Sequence, residues 1–124
     1  MWSSDNPGAD WAVAEPHIVS ALAHCGDTHK PADVLAMINR GAAALYVGEN
    51  SAIVTQEIEL PVGTQLHFWL AAGDLGEMVE MERDIERAAR SRGIRRLSIL
   101  GRRGWKAALD GFREAGTILV KEIS

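Results

Sequence analysis

The sequence predicts a mixed α/β fold, with helices packed on a sheet that is antiparallel in its first half and holds a parallel pair in its second. Three observations predict it. Two proline-led apolar stripes near the N-terminus have helical spacing, and the runs from Ala43 to Ala71 have the alternation of strands separated by short polar or Pro/Gly turns. The stretch from Leu66 to Ile123 then reads strand, helix, strand, helix, strand. The predicted order is α-α-β-β-β-α-β-α-β. With 124 residues, 47% of them apolar, the chain can bury the core of one domain.

Residues 1–10 are rich in Ser, Asp, Asn, Pro and Gly and read as a flexible arm, leaving 11–124 as a single domain. Trp2 and Trp11 are candidate anchors, because a tryptophan beside a flexible terminus suggests docking on the domain or on a neighbour. Pro16 is expected to open a short helix, since the first turn does not need the missing N–H. Ile18, Val19 and Leu22 form its stripe, and Gly26 ends it. Pro31 opens a second helix with Val34, Leu35 and Ile38 on one face, and Gly41 follows as its terminator.

Strands are expected at 43–48 and 53–60, joined through Glu49-Asn50-Ser51 as a hairpin. In the second arm Val54, Gln56, Ile58 and Leu60 alternate with Ile53, Thr55, Glu57 and Glu59. After Pro61-Val62-Gly63-Thr64, a third strand runs from Leu66 to Ala71. Strict alternation puts His67 and Trp69 on one face and Leu66, Phe68 and Leu70 on the other. A longer helix is predicted from Leu75 to Ser91, with Leu75, Met78, Val79, Ile85, Ala88 and Ala89 at apolar positions and Gly93 beyond its end. A strand at 97–100 follows, parallel to the third because a helix connects them. Trp105, Ala108, Leu109 and Phe112 share a stripe of a last helix, and Thr117–Ile123 forms the last strand.

The turn Gly73-Asp74-Leu75-Gly76-Glu77 lies where an α/β protein commonly seats a phosphate, at a helix N-terminus. Asp74 at the N-cap with Glu77 three residues later resembles a capping box. Such a cap contributes ~1 kcal/mol and occupies free N–H donors. A phosphate placed beside these carboxylates would meet repulsion on the order of 1–3 kcal/mol per charge pair.

The element order, together with Phe-Trp-Leu-Ala-Ala-Gly-Asp-Leu at 68–75, Arg-Gly at 92–93, Leu-Gly-Arg-Arg-Gly-Trp at 100–105 and Ile-Leu-Val-Lys-Glu-Ile at 118–123, resembles the GNAT (N-acyltransferase) superfamily without its usual first strand. The same set resembles short GNAT-like proteins of tailed phages, prophages and gene-transfer elements. The resemblance implies a loop of the form Arg/Gln-x-x-Gly-x-Gly/Ala that holds the coenzyme A pyrophosphate on backbone N–H groups. Here the corresponding segment is Ala71–Glu77. Gly73 and Gly76 keep some of its openness and would be the cofactor-binding residues, but the basic or amide residue is missing and two carboxylates stand near the helix start. The family's carboxylate base and tyrosine acid find no match. Glu57 and Glu59 fall on the solvent face of a strand, the only tyrosine, Tyr46, lies in the first hairpin, and the last helix offers Trp105 instead. No catalytic residue is assigned.

Charge is uneven along the chain. Between Arg83 and Arg113 ten basic residues face three acids, a net +7, and the remainder has three basic residues against fourteen acids, a net −11. This asymmetry suits an acidic partner or head-to-tail self-association. Arg102 and Arg103, in a Gly-Arg-Arg-Gly turn, are candidate interface residues suited to carboxylate or phosphate, with bridging to the domain's own acids the alternative. His17, His24, Cys25 and His29 cluster in sequence, but no second set of ligands converges on them, so no metal is assigned. A single cysteine precludes an internal disulfide, and neither a signal peptide nor a membrane-length apolar run is present, which predicts a soluble chain made in a cytoplasm.

The functional expectation is a catalytically degenerate GNAT-fold protein that acts as an assembly or interaction module, related to phages or prophages and incorporated into a phage-like particle. It would use no cofactor and would bind a protein partner, a particle or further copies of itself. The first alternative is an active N-acyltransferase using acetyl-coenzyme A through an atypical loop. The second is a nucleic-acid-binding module working through the basic 83–113 segment, disfavoured by overall acidity and scarce stacking aromatics.

Overall fold

Helix α1 runs from Pro7 to His24 and passes straight through Pro16. A computed structural model describes residues 7–100, 105, 108, 109, 111–116 and 119–123, apart from the side chains of 7–9. Proline removes the hydrogen bond to the carbonyl four residues earlier, that of Ala12. Both residues lie on the exposed face, where water can accept the role of partner. On the other face Trp11, Ala14, Ile18, Ala21 and Leu22 form one continuous buried ridge at helical spacing. Burial of that ridge outweighs the local cost of proline. The helix therefore starts nine residues earlier than Pro16 and takes in Pro7–Asp10, which the composition assigned to the arm.

The N–H of Asp27 returns to the Leu22 carbonyl at 2.9 Å and closes the end of α1 at Gly26. Helix α2 spans Pro31–Asn39 as predicted. The Asp33 carboxylate accepts the Lys30 N–H at 2.8 Å, and beyond the far end Ala42 N–H returns to Met37 at 2.8 Å. Helices α1 and α2 cover one face of the sheet.

The sheet order is β1-β2-β3-β4, with β1 at Ala44–Val47, β2 at Ser51–Leu60, β3 at Gly63–Gly73 and β4 at Arg96–Ile99. The first two pairings are antiparallel and β3–β4 is parallel, as predicted. Both hairpins turn through two residues, Glu49-Asn50 and Pro61-Val62. Helix α3, Leu75–Ser91, connects the parallel pair and covers the opposite face. Its buried residues are Met78, Met81, Glu82, Ile85 and Ala89, while Leu75 and Ala88, expected in the stripe, are exposed.

Register departs from strict alternation at one residue. Val54 pairs with Leu70 and Thr55 pairs with Phe68, so Trp69 is the extra residue of a β-bulge. Leu66 and Phe68 pack under α3, whereas Leu70 and Ala72 pack under α1 and α2. Leu70 thus does not share a face with Leu66 and Phe68 as the alternation implied. The bulge places the sequence neighbours Trp69 and Leu70 in the same α1/α2 layer. Trp69 joins the α1/α2 layer, with the His29 ring edge-on at 4.9 Å between ring centres.

The expected last two elements are not found as such among the described residues. Trp105 and Ala108 are helical and Leu109 N–H bonds the Trp105 carbonyl at 2.8 Å, but no α4 extends over the described positions, and the rest of that expected helix up to Gly104 and at Lys106, Ala107 and Asp110 lies outside them. Residues 119–123 form no strand and are exposed. A strand is stabilised by its neighbours, and this segment has none among the described residues. The observed order is α-α-β-β-β-α-β. No described helix is long and apolar enough to cross a membrane.

Gly73 leaves β3 at φ +128°, and a Cβ built there would lie 2.2 Å from the Asn50 carbonyl oxygen. Gly73→Ala is expected to cost at least about 2 kcal/mol in urea unfolding, from backbone strain plus the clash. Gly116→Ala, where nothing lies within 4 Å, should stay within about 0.5 kcal/mol.

Candidate functional site

The β3–α3 junction packs against the β1–β2 turn. Asp74 adopts an extended conformation at the N-cap, and its carboxylate accepts the Glu77 N–H at 2.8 Å. Its own N–H points to the Asn50 carbonyl and the Ser51 hydroxyl, each at 3.1 Å. Half of the expected capping box is therefore present. The other half is redirected: Glu77 reaches across to the hairpin turn and accepts the N–H groups of Asn50 at 2.9 Å and Glu49 at 3.1 Å.

Gly48 makes this approach possible. A Cβ there would sit 2.3 Å from the Glu77 Oε1. The Gly48 N–H meanwhile closes the turn on the Ser51 carbonyl at 2.9 Å. The Glu77 carboxyl is held below the ordinary glutamate value. Its partial desolvation acts the other way, but hydrogen bonds from Ser51, Asn50 and Glu49 together with the nearby His17 outweigh it.

Gly73, expected to keep this loop open, is instead closed against the backbone of Asn50 and Ser51. Gly76 lies in the exposed first turn of α3, with the Asp74 carboxylate 3.5 Å from where a Cβ would be. An anion arriving at this helix end would meet two carboxylates, both already holding N–H donors.

The other expected site residues are dispersed. Trp11 is 9% exposed and part of the α1/α2 core, so it is a packing residue rather than an interface anchor. Trp2, Arg102 and Arg103 lie outside the described residues. Tyr46 is half-buried against the α3 layer. Glu57 pairs with Arg92 just past the end of α3, and Arg87 pairs with Asp84 at 3.3 Å, so part of the basic segment is already matched by acids. Glu59 accepts the Thr64 hydroxyl. Cys25 points its thiol at the Trp69 carbonyl and His29 engages Thr28. Among the described residues no three His, Cys, Asp or Glu side chains converge to hold a metal ion.

One array escaped sequence reasoning. On the parallel strands β3 and β4, the Ser98 hydroxyl lies 2.8 Å from His67 Nδ1 and also accepts the Gln65 amide at 2.8 Å. Burial lowers the His67 pKa, which favours the neutral ring. The three side chains tie β3 to β4 across the sheet. The isolated alternation of His67 with Trp69 carried no sign of Ser98, which is 31 residues away. Beneath the opposite face a small apolar cleft is lined by Phe68, Leu75, Met78, Ile99, Trp105 and the buried Glu82. Comparison with protein-family models, with curated proteins and with solved structures gave no match.

Glu77→Gln is expected to lose about 1–2 kcal/mol of stability at neutral pH, because a neutral amide accepts these N–H groups more weakly. The pH dependence has a definite sign. A carboxyl whose folded pKa lies below its unfolded value of 4.5 contributes above that value and loses its contribution as pH falls through the folded pKa. The variant should therefore show a shallower loss of stability on acidification below 4.5, measured by denaturant unfolding at several pH values. For His67 the folded pKa lies below 6.5, so protonation below 6.5 destabilises the fold, and its ring should titrate below 6.5 by NMR. Titration at or above 6.5 would contradict the burial of that ring.

Proposed function

We propose that this chain is an interaction or assembly module with a GNAT-like layout and no acyl-transfer chemistry of its own. The resemblance suggests a phage-like particle as its setting and a protein as its partner. One observation carries the reading: the turn ahead of α3 is filled from within. Asp74 caps the helix, Glu77 holds two amides of the neighbouring hairpin, and Gly73 is packed against Asn50 and Ser51. A helix N-terminus attracts phosphate when its N–H groups and dipole are available and the surroundings are not acidic. Here the surroundings are acidic and locked. The partial neutralisation of the basic segment by Glu57 and Asp84 further supports a protein partner over nucleic acid, whose binding depends on basic groups free to replace counterions.

Acetyl-coenzyme A titrated into the protein in a calorimeter is expected to give no saturable heat. Micromolar binding that disappears in Gly76→Trp would overturn the proposal. Gly76 is exposed and away from the hairpin, so that variant blocks the helix end without disturbing the packed junction.

A further inference from the structure

We propose that the cleft between the tip of the β2–β3 hairpin and the start of β4 binds a small aliphatic carboxylate. Arg95 and Arg96 hold its charged end, and Leu60 and Val62 lie along its hydrocarbon. The cleft is at the opposite end of β3 from the β3–α3 junction, so the inference goes beyond the proposed function and does not depend on it.

The cleft forms where the α1/α2 core ends. That core takes in Val54 and Trp69. Further along the same face of β2, Ile58 and Leu60 fall outside it and are 36% and 37% exposed. Register sets Ile58 opposite Gln65 and Gln65 opposite Arg96, so these residues share that face. Val62 at the hairpin tip, 89% exposed, and Arg95 just before β4 complete the walls around ≈ 170 Å³. Gly63 and Gly93 also line the space, and a Cβ built at either would meet nothing within 4 Å.

Two guanidinium groups line this space without a carboxylate to match them. Arg95 and Arg96 are exposed, and neither makes an ion pair among the described residues. The carboxylates of β2 are engaged elsewhere: Glu57 holds Arg92, and Glu59 accepts the Thr64 hydroxyl. Adjacent guanidiniums suit a planar oxyanion with two acceptors. The apolar wall decides what that anion carries. A bare inorganic anion would leave Leu60 and Val62 in water, whereas a hydrocarbon tail laid on them removes apolar surface from both partners. The extent of the cleft selects a small molecule. It is smaller than the about 300–1,000 Å³ typical of sites for drug-sized ligands. A peptide strand would need a groove several residues long, and this cleft closes between two turns.

The test is an NMR titration of the full, isotope-labelled chain with octanoate, with acetate and inorganic phosphate in parallel. Octanoate should shift the amides of Val62, Gly63, Gly93, Arg95 and Arg96 saturably, in the millimolar range or below. Acetate should bind at least about tenfold more weakly, which corresponds to roughly two buried methylenes. Phosphate should also bind more weakly than octanoate. Arg95→Gln and Arg96→Gln should each weaken octanoate binding about tenfold. Val62→Ser should weaken octanoate and leave acetate as it was, which separates the apolar wall from the charged one. Arg40→Gln, beyond the end of α2, should change nothing. All four substituted residues are exposed, so the spectrum away from the cleft should stay that of wild type. Absence of a saturable shift at these amides overturns the inference. So does an affinity unchanged in both cleft arginine variants, phosphate binding as tightly as octanoate, or shifts spread evenly over the chain.

Discussion

The carboxylate of Glu77 is the point on which the arrangement of this molecule turns. It belongs to α3, yet its hydrogen bonds go to the turn between β1 and β2. Through it the helix on one side of the sheet is tied to the hairpin that begins the sheet. Backbone N–H groups at a tight turn have few internal partners, and an ionised acceptor satisfies two of them at once. The glycines at 48 and 73 follow from that contact, since a side chain at either would occupy space that Glu77 or the turn already fills. What could have been an open cradle has become a joint between elements distant in sequence.

How much of this was legible in the sequence depended on how local the cause was. Asp74 announced the start of α3 because capping involves residues three apart, and Gly26, Gly41 and Gly93 announced the helix ends for the same reason. The strand pairings up to β4 were legible because short turns leave little choice of partner. Pro16 misled because a rule for isolated helices met a buried ridge running from Trp11 to Leu22 that holds the helix on both sides of the proline. The redirected half of the capping box was hidden, since its partners lie 27 and 28 residues away. The segment 119–123 has strand-like residues but, among the described residues, no paired neighbour, and pattern alone does not supply one.

The candidate site was legible only in its negative aspect. Carboxylates at the helix start could be read from two letters, and the structure adds what they hold. The Gln65–His67–Ser98 array could not be read, because it exists only through the parallel register of β3 with β4. The proposed function therefore rests on how the junction is filled by Asp74, Glu77 and Gly73. The same sheet has a sealed end near Gly73 and an open cleft beside Gly63.

The bulge at Trp69 has a bearing on how this chain can vary in length. Because Trp69 is an extra residue, the sides taken by Leu70 to Gly73 follow their β2 partners and are offset by one from a count begun at Leu66. Deletion of Trp69 would leave Phe68 opposite Thr55 and Leu70 opposite Val54, a plain alternation that keeps Leu70 and Ala72 in the α1/α2 layer, whereas a further inserted residue there would put them out of step. Related chains should therefore tolerate insertions at the tip around Pro61 and Val62 and the loss of the residue at Trp69, while keeping Leu70 to Gly73 paired with Val54 to Ser51.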